Sequence, residues 1–176
     1  MKINRPEHVA NRRIILVGAM GAGKSTVGKL LAEILDWKYI DNDYEISKMA
    51  SLSIKELSRL DVSTLHALEA SYLRSILTRP APLIAGAAAS IADDLDLLNQ
   101  LKNEFTVYLH VPLEDQMKRA GSDGVGRQGL VENPLAVISE RYERRDPRYR
   151  EVASIIIETT KNPEYDASLI IERLRA

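Results

Sequence analysis

The sequence predicts a single-domain α/β fold, a five-stranded parallel sheet with helices on both faces. Three observations predict it. Short, fully apolar runs alternate with segments whose apolar residues recur at helical spacing, as in parallel strands joined by crossover helices. The runs are continuous rather than period-two, as strands buried on both faces are. The chain has 176 residues, 45% hydrophobic and 28% charged, which fits one soluble domain with a sizeable core.

Residues 1–13 read as a polar, slightly basic N-terminal arm without apolar periodicity, with Arg12 and Arg13 as surface charge. Ile14 to Val17 is the first strand. Val27, Leu30, Leu31, Ile34 and Leu35 then share one helical face. Trp37 to Ile40 is a second strand, ending in Asp41-Asn42-Asp43. Ser53-Ile54-Lys55-Glu56 has the form of a capping box. A longer helix follows, with Leu65, Leu68, Tyr72 and Ile76 as its buried stripe. Pro82 to Ala85 is a third strand running into Gly86-Ala87-Ala88-Ala89. A helix over Leu95 to Leu101 precedes a fourth strand, Phe105 to Val111, and Pro112 suits the first turn of the next helix. Leu135 to Arg145 is helical and is expected to stop before Asp146-Pro147, since proline disfavours helix at its own position and the one before. Ile155 to Ile157 is the fifth strand, and Leu169, Ile170, Ile171 and Leu174 mark a closing helix.

Bulk composition narrows the partners. The net charge of -1 provides no field that draws the chain to nucleic acid or anionic lipid. Cysteine is absent, which excludes disulfides and thiolate metal sites and allows a reducing compartment. The run Ile14–Val17 is too short for a signal core or a membrane span. The expectation is a cytoplasmic monomer that meets a small molecule, without a nucleic-acid or membrane partner.

The nine glycines are concentrated. Four fall between Gly18 and Gly28, four between Gly121 and Gly129, and the last is Gly86. Glycine loses the most freedom on folding, so this placement marks three specialised loops. The first is "GAMGAGKSTVG". Gly18, Gly23, Lys24 and Ser25 have the spacing G-x-x-x-x-G-K-[ST], between a buried strand and an amphipathic helix. Glycines let backbone N–H groups converge on an anion, and the helix N-terminus adds its positive dipole end. Gly21, Ala22, Gly23, Lys24, Ser25 and Thr26 are thereby candidates to cradle ATP. Lys24 would reach the β- and γ-phosphates and Ser25 would hold Mg²⁺. The base-reading pattern N-K-x-D of a small GTPase is absent.

Asp41 and Asp43 follow the second strand, at the end where a parallel sheet opens on its ligand crevice. Extended, they would project to one side, one toward the metal shell and the other toward a hydroxyl proton. A plain polar turn has the same composition. The arginines of residues 141–150 read either as a solvated helix face or as a clamp for a small anion.

Together these segments resemble the shikimate kinase family over nearly the whole chain. "GAMGAGKSTVG" is similar to its phosphate loop. "YIDNDYEIS" resembles its D-x-D segment, which implies a metal role for Asp41 and a substrate role for Asp43. "RRDPRYREVA" resembles its R-x-P-x-Y segment and implies that Arg145 grips a substrate carboxylate. "KRAGSDGVGRQGL" resembles the lid, within residues 112–133, with Arg119 at the adenine and Arg127 at the transferring phosphate. "TTKNP" resembles the adenine loop, which places Asn162 and Pro163 near the base. The resemblance implies ATP-dependent phosphorylation of shikimate at its 3-hydroxyl, with Lys24, Asp43 and Arg127 as the catalytic residues.

The chain also departs from the family. An arginine in the family's F-R-x-x-E pattern is here His66, within "LHALE". Its G-G-G after the third strand is Gly86-Ala87-Ala88, and its lid R-P-L is Arg127-Gln128-Gly129-Leu130. The resemblance puts His66, Gly86 and Ala87 in the substrate pocket. Losing one charged arm of a carboxylate clamp would weaken binding by ~10–100-fold. Alanine for glycine would cost ~1–2 kcal/mol if φ is positive there. An aminoshikimate-like ring, a cyclitol or a sugar acid therefore stands beside shikimate as acceptor. A nucleoside monophosphate kinase and a nucleotide-binding regulator without turnover complete the alternatives.

Overall fold

The structure is a computed structural model and describes residues 11–120 and 133–176, apart from the side chains of 119 and 120. Most of the expected arm 1–13 and most of the expected lid 112–133, with Arg127, therefore lie outside the described residues. Five parallel strands form one sheet: β1 (Arg13–Val17), β2 (Tyr39–Ile40), β3 (Leu83–Gly86), β4 (Phe105–His110) and β5 (Ile155–Glu158). Their order is β2-β3-β1-β4-β5. Ile15 lies between Ala85 of β3 and Thr106 of β4, so β1 sits at the centre. The chain leaves β1 toward β3 on one side and returns to β4 on the other. A parallel sheet opens its ligand crevice at such a reversal, beyond the strand carboxyl ends.

Alternation along the strands divides the core in two. Ile15, Val17, Ile40 and Ala85 face α4 (Val62–Leu77), α5 (Leu95–Leu101) and α7 (Pro134–Val152), meeting Tyr72, Leu97 and Tyr149. Ile14, Leu16, Val107 and Leu109 face α1 (Lys24–Leu35) and α8 (Pro163–Arg175), meeting Leu31 and Ile170. The remaining helices are α2 (Asn42–Ala50), α3 (Ile54–Leu57) and α6 (Leu113–Ala120), with a 3₁₀ turn at Ala89–Asp93. Among the described residues no helix is long and apolar enough to cross a membrane.

Gly28 belongs to the same motif as the phosphate loop, yet its reason is packing. A Cβ there would lie 2.8 Å from Tyr39 Cδ2 and 2.9 Å from Cζ, inside the ring's contact surface. Gly28→Ala is expected to lower stability by about 1–3 kcal/mol, the usual cost of overpacking. A lower urea midpoint at unchanged m would show it.

Four local expectations change. Helix α7 does not stop at Arg145; it runs through Pro147 to Val152. An internal proline costs about 3 kcal/mol. Against this, α7 buries Tyr149 and Val152, and Tyr149 donates to the Ala89 carbonyl at 2.8 Å. Asp41 and Asp43 do not share an extended segment: Asp41, itself extended, caps α2 by accepting from the Tyr44 amide, and Asp43 lies in the first turn of that helix. The capping box is present, but it opens the short α3, while α4 has its own cap at Asp61. Arg13 is not loose surface charge. It donates to Glu104 through Nε at 3.0 Å and Nη2 at 2.7 Å, and to the Arg79 carbonyl at 2.9 Å.

Candidate active site

The loop after β1 has the backbone that its glycines predict. Gly18, Gly21 and Gly23 have φ of 145°, 74° and 91°, which side-chain-bearing residues rarely adopt. A Cβ on Gly18 would also lie 2.6 Å from the Leu109 carbonyl oxygen. Gly23 leads straight into α1, whose first turn has no side-chain cap. Its N–H groups thus face the crevice, ready for an anion. Lys24 folds back and donates through Nζ to the carbonyls of Gly18 at 2.8 Å and Ala19 at 2.9 Å. Desolvation lowers its pKa to about 8, opposed by the carboxylates of Asp43 and Glu69.

Ser25 follows on α1 and donates to Asp41 Oδ2 at 3.0 Å. Asp41 thus serves two partners, with its Oδ1 on the α2 cap and its Oδ2 on Ser25. Tyr39 packs beside this pair. Burial is the first cause that lifts its phenol to about 12, and the neighbouring Asp41 and Asp43 add to it. A hydroxyl and a carboxylate side by side are hard oxygen donors, and Mg²⁺ commonly takes only one or two such groups with water and phosphate oxygens filling its octahedron. The pair fits that ion.

One cavity of about 340 Å³ joins these parts. Gly21 to Thr26 and Tyr39 form one wall, and Asp41, Asn42 and Asp43 form a second. Gly86 to Ala89, with Leu65 and Glu69 of α4, form a third wall, together with Ile54, Leu57 and Ser58 from the α3 segment. Ala87 and Ala88 are buried, and their φ is not positive; among the described residues only Asp36 and Ser51 carry positive φ without being glycine. The strain allowed for at these alanines is therefore absent, and their methyls simply fill space. Glu69 accepts a hydrogen bond from Ser90, and burial pushes its carboxyl above the usual range.

Several expected residues stand apart from this cavity. His66 does not line it. Burial and then Arg145 lower its pKa, and its other charged neighbours are Asp93 and Arg141. Arg145 also lies outside the lining and pairs with Asp93. Asn162 accepts from the Tyr165 amide at 3.0 Å as the cap of α8, with Pro163 in the first turn, and neither lines the cavity. Arg119 is in the last turn of α6, but its side chain, like all of Arg127, lies outside the described residues. Sequence reasoning missed Tyr39 and the α3 wall as parts of the cavity lining, and the pairing of Asp93 with Arg145. Glu69 was legible only as the retained residue of "LHALE".

The sheet order, the lysine-bearing glycine loop and the paired aspartates define the class, a phosphate-loop kinase fold. The family model for shikimate kinase matches residues 20–175, and the chain belongs to the shikimate kinase family. It is similar to the shikimate kinase of Hahella chejuensis, 32% identical over 169 residues, covering 95% of this chain and 88% of the relative. It is 35% identical over 164 residues to that of Acinetobacter baumannii strain AYE, covering 92% of this chain and 90% of the relative. Among solved structures, the Acinetobacter baumannii shikimate kinase in complex with shikimate superposes with a TM-score of 0.82 at 32% identity, covering 92% of each chain. The Aquifex aeolicus enzyme gives 0.76 at 27%, covering 92% of this chain and 95% of its own.

Proposed function

We propose that this chain transfers the γ-phosphoryl group of ATP to a hydroxyl of a small polyhydroxylated acceptor, with shikimate as the leading acceptor and shikimate 3-phosphate as its product. Family membership supports the reaction class. The observation that carries the site is the cavity in which Lys24, Ser25, Asp41 and Asp43 converge. The phosphate loop from Gly21 to Thr26, which leads into the N-terminus of α1 with no side-chain cap, binds phosphate oxygens through its amides. Lys24 turns from the loop carbonyls toward the β- and γ-phosphates and neutralises charge there. Ser25 and Asp41 would hold Mg²⁺, which when bound shields the phosphates and keeps them in line for attack. Asp43 orients the acceptor hydroxyl and takes its proton as the oxygen–phosphorus bond forms. Leu65, Ile54 and Leu57 exclude water from the acceptor side. Arg127 and Arg119, Asn162 and Pro163 keep their implied parts at the transferring phosphate and the adenine. A cytoplasmic monomer belongs to the same proposal.

A coupled assay of ADP release tests it, with shikimate, a cyclitol, a sugar acid and nucleoside monophosphates as acceptors. ADP released with shikimate supports the reading, and ATP binding without acceptor-dependent release across the panel overturns it. The two duties of Asp41 are separable. Asparagine caps helices as well as aspartate does. Asp41→Asn should leave the urea midpoint unchanged and raise the Mg²⁺ concentration for half-maximal rate by about 10-fold or more, the usual cost of a disturbed metal shell.

A further inference from the structure

Ser25 and Asp41 meet from two separate elements, the first turn of α1 and the junction of β2 with α2. Asp41 Oδ2 accepts from Ser25 at 3.0 Å, and the contact is exposed. Water competes for such a hydrogen bond, so by itself it holds the two oxygens loosely.

Tyr39 is the rigid group beside them. It and Asp41 stand two residues apart on extended backbone, so both project to the α1 face of the sheet, while Ile40 between them turns to the other face. Two glycines fix the ring. It lies against Gly28 of α1, where a Cβ would come within 2.8 Å of Tyr39 Cδ2. Its oxygen reaches Gly86 at the end of β3, where a Cβ would come within 3.2 Å. The phenol is thereby delivered to the cavity wall that Ser25, Asp41 and Gly86 also line. Burial acts on it first, followed by the Ser25 hydroxyl and the Asp41 carboxylate, so both members of the pair are its neighbours. A phenol both donates and accepts. The Ser25 hydrogen already lies on Asp41 and the Asp41 Oδ1 takes the Tyr44 amide, which leaves the phenol hydrogen to the same carboxylate.

We propose that Tyr39 is a positioning residue for the Mg²⁺ shell: its phenol, set in place by Gly28 and Gly86, donates to Asp41 and holds that carboxylate against Ser25. The inference rests on the proposed function for the use of Mg²⁺ with ATP. With Asp41 held in this way, the lone pairs of Ser25 stay open to the cation.

Tyr39→Phe removes one oxygen and keeps the ring on Gly28. The test measures ATP binding by calorimetry, in Mg²⁺ and in EDTA, with urea unfolding followed alongside. Tyr39→Phe should weaken binding in Mg²⁺ by about 10-fold, the lower end of what an outer-shell partner is worth, and leave binding in EDTA and the urea midpoint in place. On a Ser25→Ala background the same substitution should change binding in Mg²⁺ by less than about twofold, because no pair is left to hold. An unchanged affinity in Mg²⁺ overturns the proposal. A loss of the same size in EDTA, or on the Ser25→Ala background, also overturns it, because the phenol then acts on the nucleotide or the fold alone. The ratio of the two affinities decides the matter even where the midpoint falls, since a loosened fold weakens both. None of these arms needs an acceptor. Absence of ADP release with every acceptor defeats the proposed transfer reaction and leaves the Tyr39 result standing, whereas a natural chain that binds ATP equally well in Mg²⁺ and in EDTA defeats the role of Tyr39.

Discussion

Lys24→Ala is expected to lower acceptor-dependent ADP release by about 10³-fold, within the range seen when a group that stabilises developing charge is removed. The geometry makes the loss specific. The side chain belongs to neither hydrophobic cluster, and its ammonium rests on the carbonyls of Gly18 and Ala19. The loop backbone is held by the positive φ of its glycines, so the variant should fold. Its stabilisation by saturating ATP in a thermal-shift experiment should shrink, because that shift grows with ligand affinity. A pH profile gives a second reading. The free lysine has its pKa lowered to about 8, so the ammonium is present below that pH and lost above it. kcat/KM for ATP should fall as pH rises through about 8. kcat should hold to higher pH, because bound phosphates favour the charged form.

Asp43→Asn is expected to lower kcat by about 10²–10⁴-fold while the KM for ATP changes little, which is the span of a lost general base. Asparagine is isosteric, so the first turn of α2 keeps its shape. The Asn42 Nδ2 that donates to Asp43 Oδ1 at 3.0 Å retains an oxygen to meet. What disappears is negative charge beside Lys24 and a site for the acceptor proton. Rapid-quench single-turnover measurement separates the two consequences: the chemical step slows while ATP binding persists. An equal loss in ATP affinity would mean that Asp43 acts on the nucleotide rather than on the acceptor.

Much of the fold was legible because it is local. Continuous apolar runs gave the strands, helical spacing gave α1, α4 and α8, and the Gly18-to-Ser25 spacing gave a loop whose φ values the structure reproduces. The failures come from long-range packing. Pro147 is a stop signal in isolation, but burial of Tyr149 and Val152 carries α7 past it. Nothing near Arg145 announces Asp93, because the pair closes 52 residues of chain. Asp41-Asn42-Asp43 read as an extended pair or a polar turn, although an aspartate before an amphipathic segment is also a helix-cap signal. As a cap, Asp41 delivers Asp43 to the cavity from a helix turn, with the same two carboxylates facing the loop by another route.

The most direct test follows the phosphorus itself. The purified chain, incubated with ATP, Mg²⁺ and shikimate, should yield a ³¹P resonance of a phosphomonoester coupled to the ring proton at the 3-position, and none when shikimate is left out. ATP converted only to ADP and inorganic phosphate, or left unconsumed, would contradict the convergence of Lys24 and Asp43 on one transferring group.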